Sequence, residues 1–291
     1  MLTREEFHAR LTSGPMFLDG ATGSNLQKMG MPRGCCTEEW ILANPDKLVQ
    51  LQRSYAEAGS QILYAPTFQA QPIALEKSGL DAKTEQINAQ LVALTRSVSS
   101  DVLVAGDITT LASFIDSRDP ENFDILVENY SRQIRGLIDG GADILVAETL
   151  LYPEDAEAIL TAAELEQAGA VMYSFAMMSD GYLFCNTDAG PVLTELEQAG
   201  AAAVGFNCVP ADMMTAYLIT ALRRHVRGPL ICKPNAGVPV IGESGIAEYS
   251  MDPETFSEIL KQCNGNGAAL LGGCCGTDPQ FIALAKKAIC G

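Results

Sequence analysis

A chain of 291 residues and 31.0 kDa, 47% hydrophobic and 19% charged, is ample for a large core, and its composition excludes a disordered, collagenous or fibrous protein. Nineteen Lys plus Arg against thirty-six Asp plus Glu leave a net charge of -17 and an isoelectric point near 4.4, which repels a phosphate backbone. The densest basic stretch, Arg223, Arg224, His225 and Arg227, has the pattern of a helix C-terminus, so nucleic acid is excluded as a partner.

The opening MLTREEFHARLTSGPMF has no apolar run of signal-peptide length, and its His8 belongs to a leading helix. No segment approaches the roughly 20 apolar residues of a membrane span, so no membrane partner and a cytoplasmic location are expected. From there, short apolar runs alternate with stretches of helical period. Strands are predicted at 16–19, 61–65, 102–106, 143–147, 171–175, 203–207, 230–233 and 268–271. Helices are predicted at 45–58, 84–97, 122–136, 153–168, 194–200, 210–224 and 253–263. Eight units without an intervening linker predict one domain over 1–291, a closed α/β (β/α)8 TIM barrel. A doubly wound open sheet is the alternative. It lacks a dinucleotide fingerprint, because Asp19-Gly20-Ala21-Thr22-Gly23 has the wrong spacing, and there is no P-loop.

In such a barrel the active face lies at the C-terminal ends of the strands. Asp19 ends the first strand, Thr67 and Phe68 follow the second, Asp107 follows the third and Glu148 ends the fourth. Asn207 and Cys208 end the sixth, Asn235 follows the seventh, and Cys274 and Cys275 follow the eighth. Three thiols from two strand ends can fill three corners of a tetrahedral zinc site and leave the fourth to water or substrate. Adjacent cysteines in a regular strand point to opposite faces, a restriction that the glycines of Gly272-Gly273-Cys274-Cys275-Gly276 relax. Buried core thiols and a vicinal disulfide are the competing readings. Cys35 and Cys36, ahead of Glu38, Glu39 and Trp40, have no evident partner ligands; Cys185, Cys232, Cys263 and Cys290 read as small hydrophobes or exposed thiols. With His8 and His225 as the two histidines, neither a histidine-rich metal site nor a Ser-His-Asp triad can be assembled. Asp19 and Glu148 emerge from apolar strands into the mouth, where each serves either a substrate ammonium or loop backbone N–H groups.

At these residues the chain resembles the homocysteine S-methyltransferase family, which includes betaine–homocysteine methyltransferase and the N-terminal module of cobalamin-dependent methionine synthase. The matching stretches are Phe17-Leu18-Asp19-Gly20-Ala21-Thr22-Gly23, Ala65-Pro66-Thr67-Phe68-Gln69-Ala70, Val146-Ala147-Glu148-Thr149, Gly205-Phe206-Asn207-Cys208, Pro234-Asn235-Ala236-Gly237 and Gly272-Gly273-Cys274-Cys275-Gly276-Thr277, spread over nearly the whole chain. The resemblance implies a zinc-bearing barrel with Cys208, Cys274 and Cys275 as ligands. It implies Asp19 and Glu148 at the homocysteine amino group, directly or through nearby donors and water. It further implies Asn207 and Asn235 orienting the rim or the substrate, and Thr67 and Phe68 shaping the co-substrate pocket. The implied reaction moves a methyl group from a small-molecule or corrinoid donor to the thiol of L-homocysteine, giving methionine. Zinc favours the thiolate of a thiol whose free pKa is about 8.5.

Three segments depart from the family pattern: Ala65-Pro66 before Thr67, Asp107-Ile108-Thr109-Thr110 in place of a Gly-Pro-containing loop, and residues 179–190. They leave the donor open among S-methylmethionine, S-adenosylmethionine and a methylcorrinoid, the last arriving free or on a separate corrinoid protein. A betaine-type donor calls for an aromatic cage, for which Trp40, Tyr64 and Tyr152 are available. The rival readings are another small thiol or selenol as acceptor, a non-catalytic zinc-binding barrel component, and a Cys274–Cys275 redox pair. The sequence assigns no oligomeric state.

Overall fold

The computed structural model describes residues 1–212, 214–242 and 247–291. Eight strands run parallel: β1 (Met16–Phe17), β2 (Ile62–Tyr64), β3 (Leu103–Thr109), β4 (Ile144–Leu150), β5 (Val171–Phe175), β6 (Ala203–Pro210), β7 (Leu230–Asn235) and, after a small antiparallel pair β8 (Val240–Ile241) and β9 (Ala247–Glu248), β10 (Ala268–Leu271). Their order is β1-β10-β7-β6-β5-β4-β3-β2. At the seam between β1 and β2, the Gln61 N–H donates to the Phe17 carbonyl at 2.7 Å and the Gln61 side chain accepts the Phe17 N–H at 3.1 Å. The result is a nearly closed parallel barrel with helices between its strands, as expected from the alternation of apolar runs and helical periods.

The helices begin where their first residues dictate. Pro45–Ala58, Pro153–Leu165, Pro253–Gly265 and Pro279–Cys290 each open on a proline, whose missing N–H is no loss in a first turn. Asp252 and Asp278 cap the last two by accepting the Thr255 and Gln280 N–H groups. Two predicted helices shift. The one expected at 194–200 is Ala189–Gln198, because Asp188 accepts the Gly190 N–H and starts it earlier. The one expected at 210–224 is Thr215–Leu222: Pro210 is the last residue of β6, and Asp212 receives the N–H groups of Met214 and Thr215. Met213, within that expected span, lies outside the described residues.

Side chains alternate along each strand, so one set faces the helices and the other fills the barrel. Leu18, Tyr64, Ala105, Val146, Met172 and Ile231 belong to one interior cluster, to which Phe7 of the helix Arg4–Arg10 also belongs. That helix is tied to the strand starts: the Leu2 N–H bonds Asp143, the Leu2 carbonyl accepts from Ala170, and His8 Nε2 lies 2.7 Å from the Ala202 carbonyl. Continuing the same alternation two residues further along the strands turns Asp107, Glu148, Ser174, Asn207 and Lys233 inward. Strands β3, β4, β6 and β7 run beyond their expected apolar runs because these buried polar residues keep the backbone ladder.

Candidate metal centre and its acidic cavity

Three sulfur atoms meet at the C-terminal ends of β6 and β10. Cys208 Sγ and Cys274 Sγ are 2.9 Å apart, and the Cys208, Cys274 and Cys275 sulfurs all lie within 4.8 Å of one another. All nine cysteines are free. The adjacent pair shares a site because the chain turns there: Gly276 takes φ 83°, and the Thr277 N–H donates to the Cys274 carbonyl at 3.2 Å. Gly272 lets this segment press against β1, for a Cβ there would come within 2.7 Å of the Leu18 Cβ.

Two asparagines hold the sulfur-bearing backbone. Thr149 and Cys208 are non-glycine residues at φ 58° and 55°, at the places where β4 and β6 slip register against their neighbours. A left-handed non-glycine residue costs about 1–3 kcal/mol and persists only when its surroundings impose it. Asn207, fully buried, supplies that constraint: its Oδ1 accepts the Thr149 N–H at 2.7 Å and the Ser174 hydroxyl at 3.0 Å, while its Nδ2 donates to Thr149 Oγ1 at 2.6 Å. Asn235 links the two ligand segments, donating to the Cys208 carbonyl at 3.1 Å and accepting the Cys275 N–H at 3.0 Å.

The thiols repel a shared ionisation. Hydrogen bonds with Cys274 and Cys275, reinforced by burial, push Cys208 well up. The bond with Cys208 pulls Cys274 down, but the Cys275 thiolate and burial outweigh it and leave Cys274 raised. Cys275, bonded by both Cys208 and Cys274, is held below the usual thiol range. Three thiolates at this spacing require a cation between them. The donor set is soft, all sulfur, and three in number, which fits a zinc ion with one position left for a ligand.

Cys208, Cys274 and Cys275 form part of the wall of a cavity of about 390 Å³ whose other polar wall is acidic. Asp19, Asp107 and Glu148 all line it, each less than a tenth exposed, together with Lys233. Lys233 Nζ lies 3.4 Å from Glu148 Oε2 and 3.8 Å from Asp19 Oδ1, and 4.7 Å from the centre of the Tyr64 ring. Burial raises Asp19 to about 7 against the pull of Lys233, and burial likewise raises Glu148. Asp107 is pushed well above the carboxylate range by burial and then by Glu148. Burial opposes the charge on Lys233, yet Glu148, Cys274 and Asp19 together hold its ammonium well above the usual range.

Among the other expected site residues, Phe68 lines the cavity, whereas Thr67 lies behind the wall. The Thr67 hydroxyl accepts the Asp107 N–H at 3.0 Å and donates to the Asp107 carbonyl at 2.8 Å, clamping β2 to β3. Of Trp40, Tyr64 and Tyr152, Tyr64 is the one lining the cavity; Tyr152 instead stacks under Arg118. Cys35 is exposed and Cys36 points to Glu38, so neither joins the sulfur cluster. Lys233 and Glu38, both buried in the cavity wall, are the residues the sequence reading passed over. Lys233 was signalled by its place two residues after Ile231 on the inward face of an apolar strand.

Residues 16–289 match the family described as homocysteine S-methyltransferase. The chain belongs to the homocysteine S-methyltransferase family. Among curated relatives, methionine synthase of Mycobacterium tuberculosis is 28% identical over 96% of this chain and 25% of its own length, and that of Mycobacterium leprae is 27% identical over 93% and 24%. This member of the family therefore spans about a quarter of the length of those relatives. In fold it is similar to the metallated form of the homocysteine methyltransferase MmuM from Escherichia coli, with a TM-score of 0.82 at 24% identity, covering 97% of this chain and 99% of that one. No described helix is long and apolar enough to cross a membrane.

Proposed function

We propose that residues 1–291 act as one zinc-dependent barrel that transfers a methyl group to the thiol of L-homocysteine, giving methionine. The observation that carries this reading is the opening of a three-sulfur cluster into the same cavity as a set of buried carboxylates. Zinc, held by Cys208, Cys274 and Cys275, supplies a Lewis acid that favours the thiolate form of the acceptor near neutral pH.

The chain's own residues do the rest by position. Asn207 and Asn235 fix the backbone on which the cysteines sit, so the sulfur array is set before the acceptor arrives. The acidic end of the cavity, with Asp19 and Glu148, takes the amino group, and Phe68 bounds the space at the mouth where the methyl donor approaches. The donor is S-methylmethionine, S-adenosylmethionine or a methylcorrinoid, free or carried by a separate protein. A reducing compartment such as the cytoplasm goes with this reading, because a three-thiolate site works with its cysteines reduced.

The test is native mass spectrometry of protein purified reduced and without added metal, repeated with homocysteine, followed by methyl-transfer assays with each of the three donors. One zinc and one homocysteine per chain, with methionine formed from one donor, is the expected result. A chain that takes up neither zinc nor homocysteine overturns the reading.

A further inference from the structure

A second cavity, of about 420 Å³, lies at the end of the barrel away from the sulfur cluster. Val171, the first residue of β5, and Ala201, just ahead of β6, stand in its wall, so it opens at strand starts rather than strand ends. Its volume falls within the range of small-molecule pockets, about 300–1,000 Å³. The space stays open because Ala163 and Ala199, on the two flanking helix ends, carry only a methyl group into it.

Tyr173 forms its floor. Alternation along β5 turns this fully buried side chain away from the barrel interior and toward the helices. Its hydroxyl is buried without a hydrogen-bond partner among the described residues, and leaving such a group unpaired is costly. Burial, reinforced by the charge of Glu164, keeps the proton on the phenol, which therefore offers both a donor and an acceptor. The rim is negative. Glu164 is exposed there with no cation of the described residues within ion-pair distance. The helices Pro153–Leu165 and Ala189–Gln198 both end at this rim, and helix C-termini favour cations. An anion is disfavoured on all three counts, and a bare metal ion leaves the apolar wall unused. We infer that this cavity binds a short amino alcohol, whose hydroxyl exchanges a hydrogen bond with Tyr173 at the floor and whose ammonium sits beside Glu164 at the rim. The site is separate from the proposed methyl transfer and does not rest on it.

The probe is 4-amino-1-butanol, titrated calorimetrically into the full chain with and without homocysteine. Its controls are 1,4-butanediol, which lacks the charge, and butylamine, which lacks the hydroxyl. The wild-type chain is expected to bind one equivalent of the amino alcohol at least about threefold more tightly than either control, as one hydrogen bond or one exposed ion pair allows. Tyr173→Phe should abolish the preference over butylamine and keep that over the diol, and Glu164→Gln should do the reverse. Because the Tyr173 hydroxyl has no partner in the fold, Tyr173→Phe should melt within about 1 °C of the wild-type chain or above it. Absence of binding, a preference that its substitution leaves in place, or displacement of the probe by homocysteine overturns the site. So does a Tyr173→Phe chain that melts several degrees lower, since the hydroxyl then serves the fold. No methyl transfer is read, so each of these failures leaves the proposed function standing.

Discussion

Replacing Lys233 by Met keeps the length of the side chain and removes the one cation between two buried carboxylates. The lysine side chain is 4% exposed, and those of Asp19 and Glu148 are 1% and 10% exposed. Water therefore cannot take over as counter-charge, and removing one partner of a buried pair costs about 3–5 kcal/mol. Unfolding entropy of about 2.1 cal/mol/K per residue gives roughly 0.6 kcal/mol/K for a chain of this size, so the loss corresponds to a melting temperature lower by about 5–8 °C. The deficit depends on pH in a determined direction. Burial already raises Asp19 to about 7 with Lys233 present, and removing the lysine pushes it higher. A carboxyl whose folded pKa exceeds its unfolded value disfavours the fold as pH rises through the folded value, and ceases to do so once protonated in both states. The deficit should be larger at pH 8 than at pH 5 and shrink steadily between them. Calorimetric melting of wild-type protein and Lys233→Met at both pH values measures it. A drop smaller than about 1 °C at pH 8, or one that grows on acidification, would refute the view of Lys233 as the counter-ion of this wall.

Asn207→Ala removes the partner of the Thr149 N–H and the Ser174 hydroxyl; zinc affinity should fall about 10–100-fold in a chelator competition, and an unchanged affinity would free Asn207 from its positioning role. Because Cys208 and Cys274 are raised and Cys275 is lowered, zinc uptake should release about two protons, so affinity should fall about a hundredfold per pH unit below neutrality. Titration in buffers of different ionisation enthalpy counts those protons, and a release near zero contradicts the thiol assignment. Thr67→Val strands the Asp107 N–H and should destabilise the fold by about 1–3 kcal/mol in denaturant while one zinc per chain is retained.

The alternation of apolar runs and helical periods determined the eight strands and their succession, since burial on both faces requires such runs in a parallel sheet. It also put Cys208, Cys274 and Cys275 at two strand ends, where a metal site competed with core thiols and a vicinal disulfide, and the resemblance of those stretches to the family gave them a metal. Helix starts at Pro45, Pro153 and Pro253 were legible for a local reason, the fixed φ of proline. The starts at Ala189 and Thr215 were not, because they depend on which aspartate accepts a backbone N–H. What only the tertiary structure decided is the partnership of charges. That Asp19 and Glu148 share a lysine depends on closure of the barrel, which lets the Lys233 side chain of β7 reach the carboxylates beyond β1 and on β4. Likewise, Thr67 reads as a rim residue in sequence and becomes a clamp in the fold because its hydroxyl meets the Asp107 backbone across a strand pair. Local propensity records which way a side chain points; only packing at long sequence separation determines what it meets there.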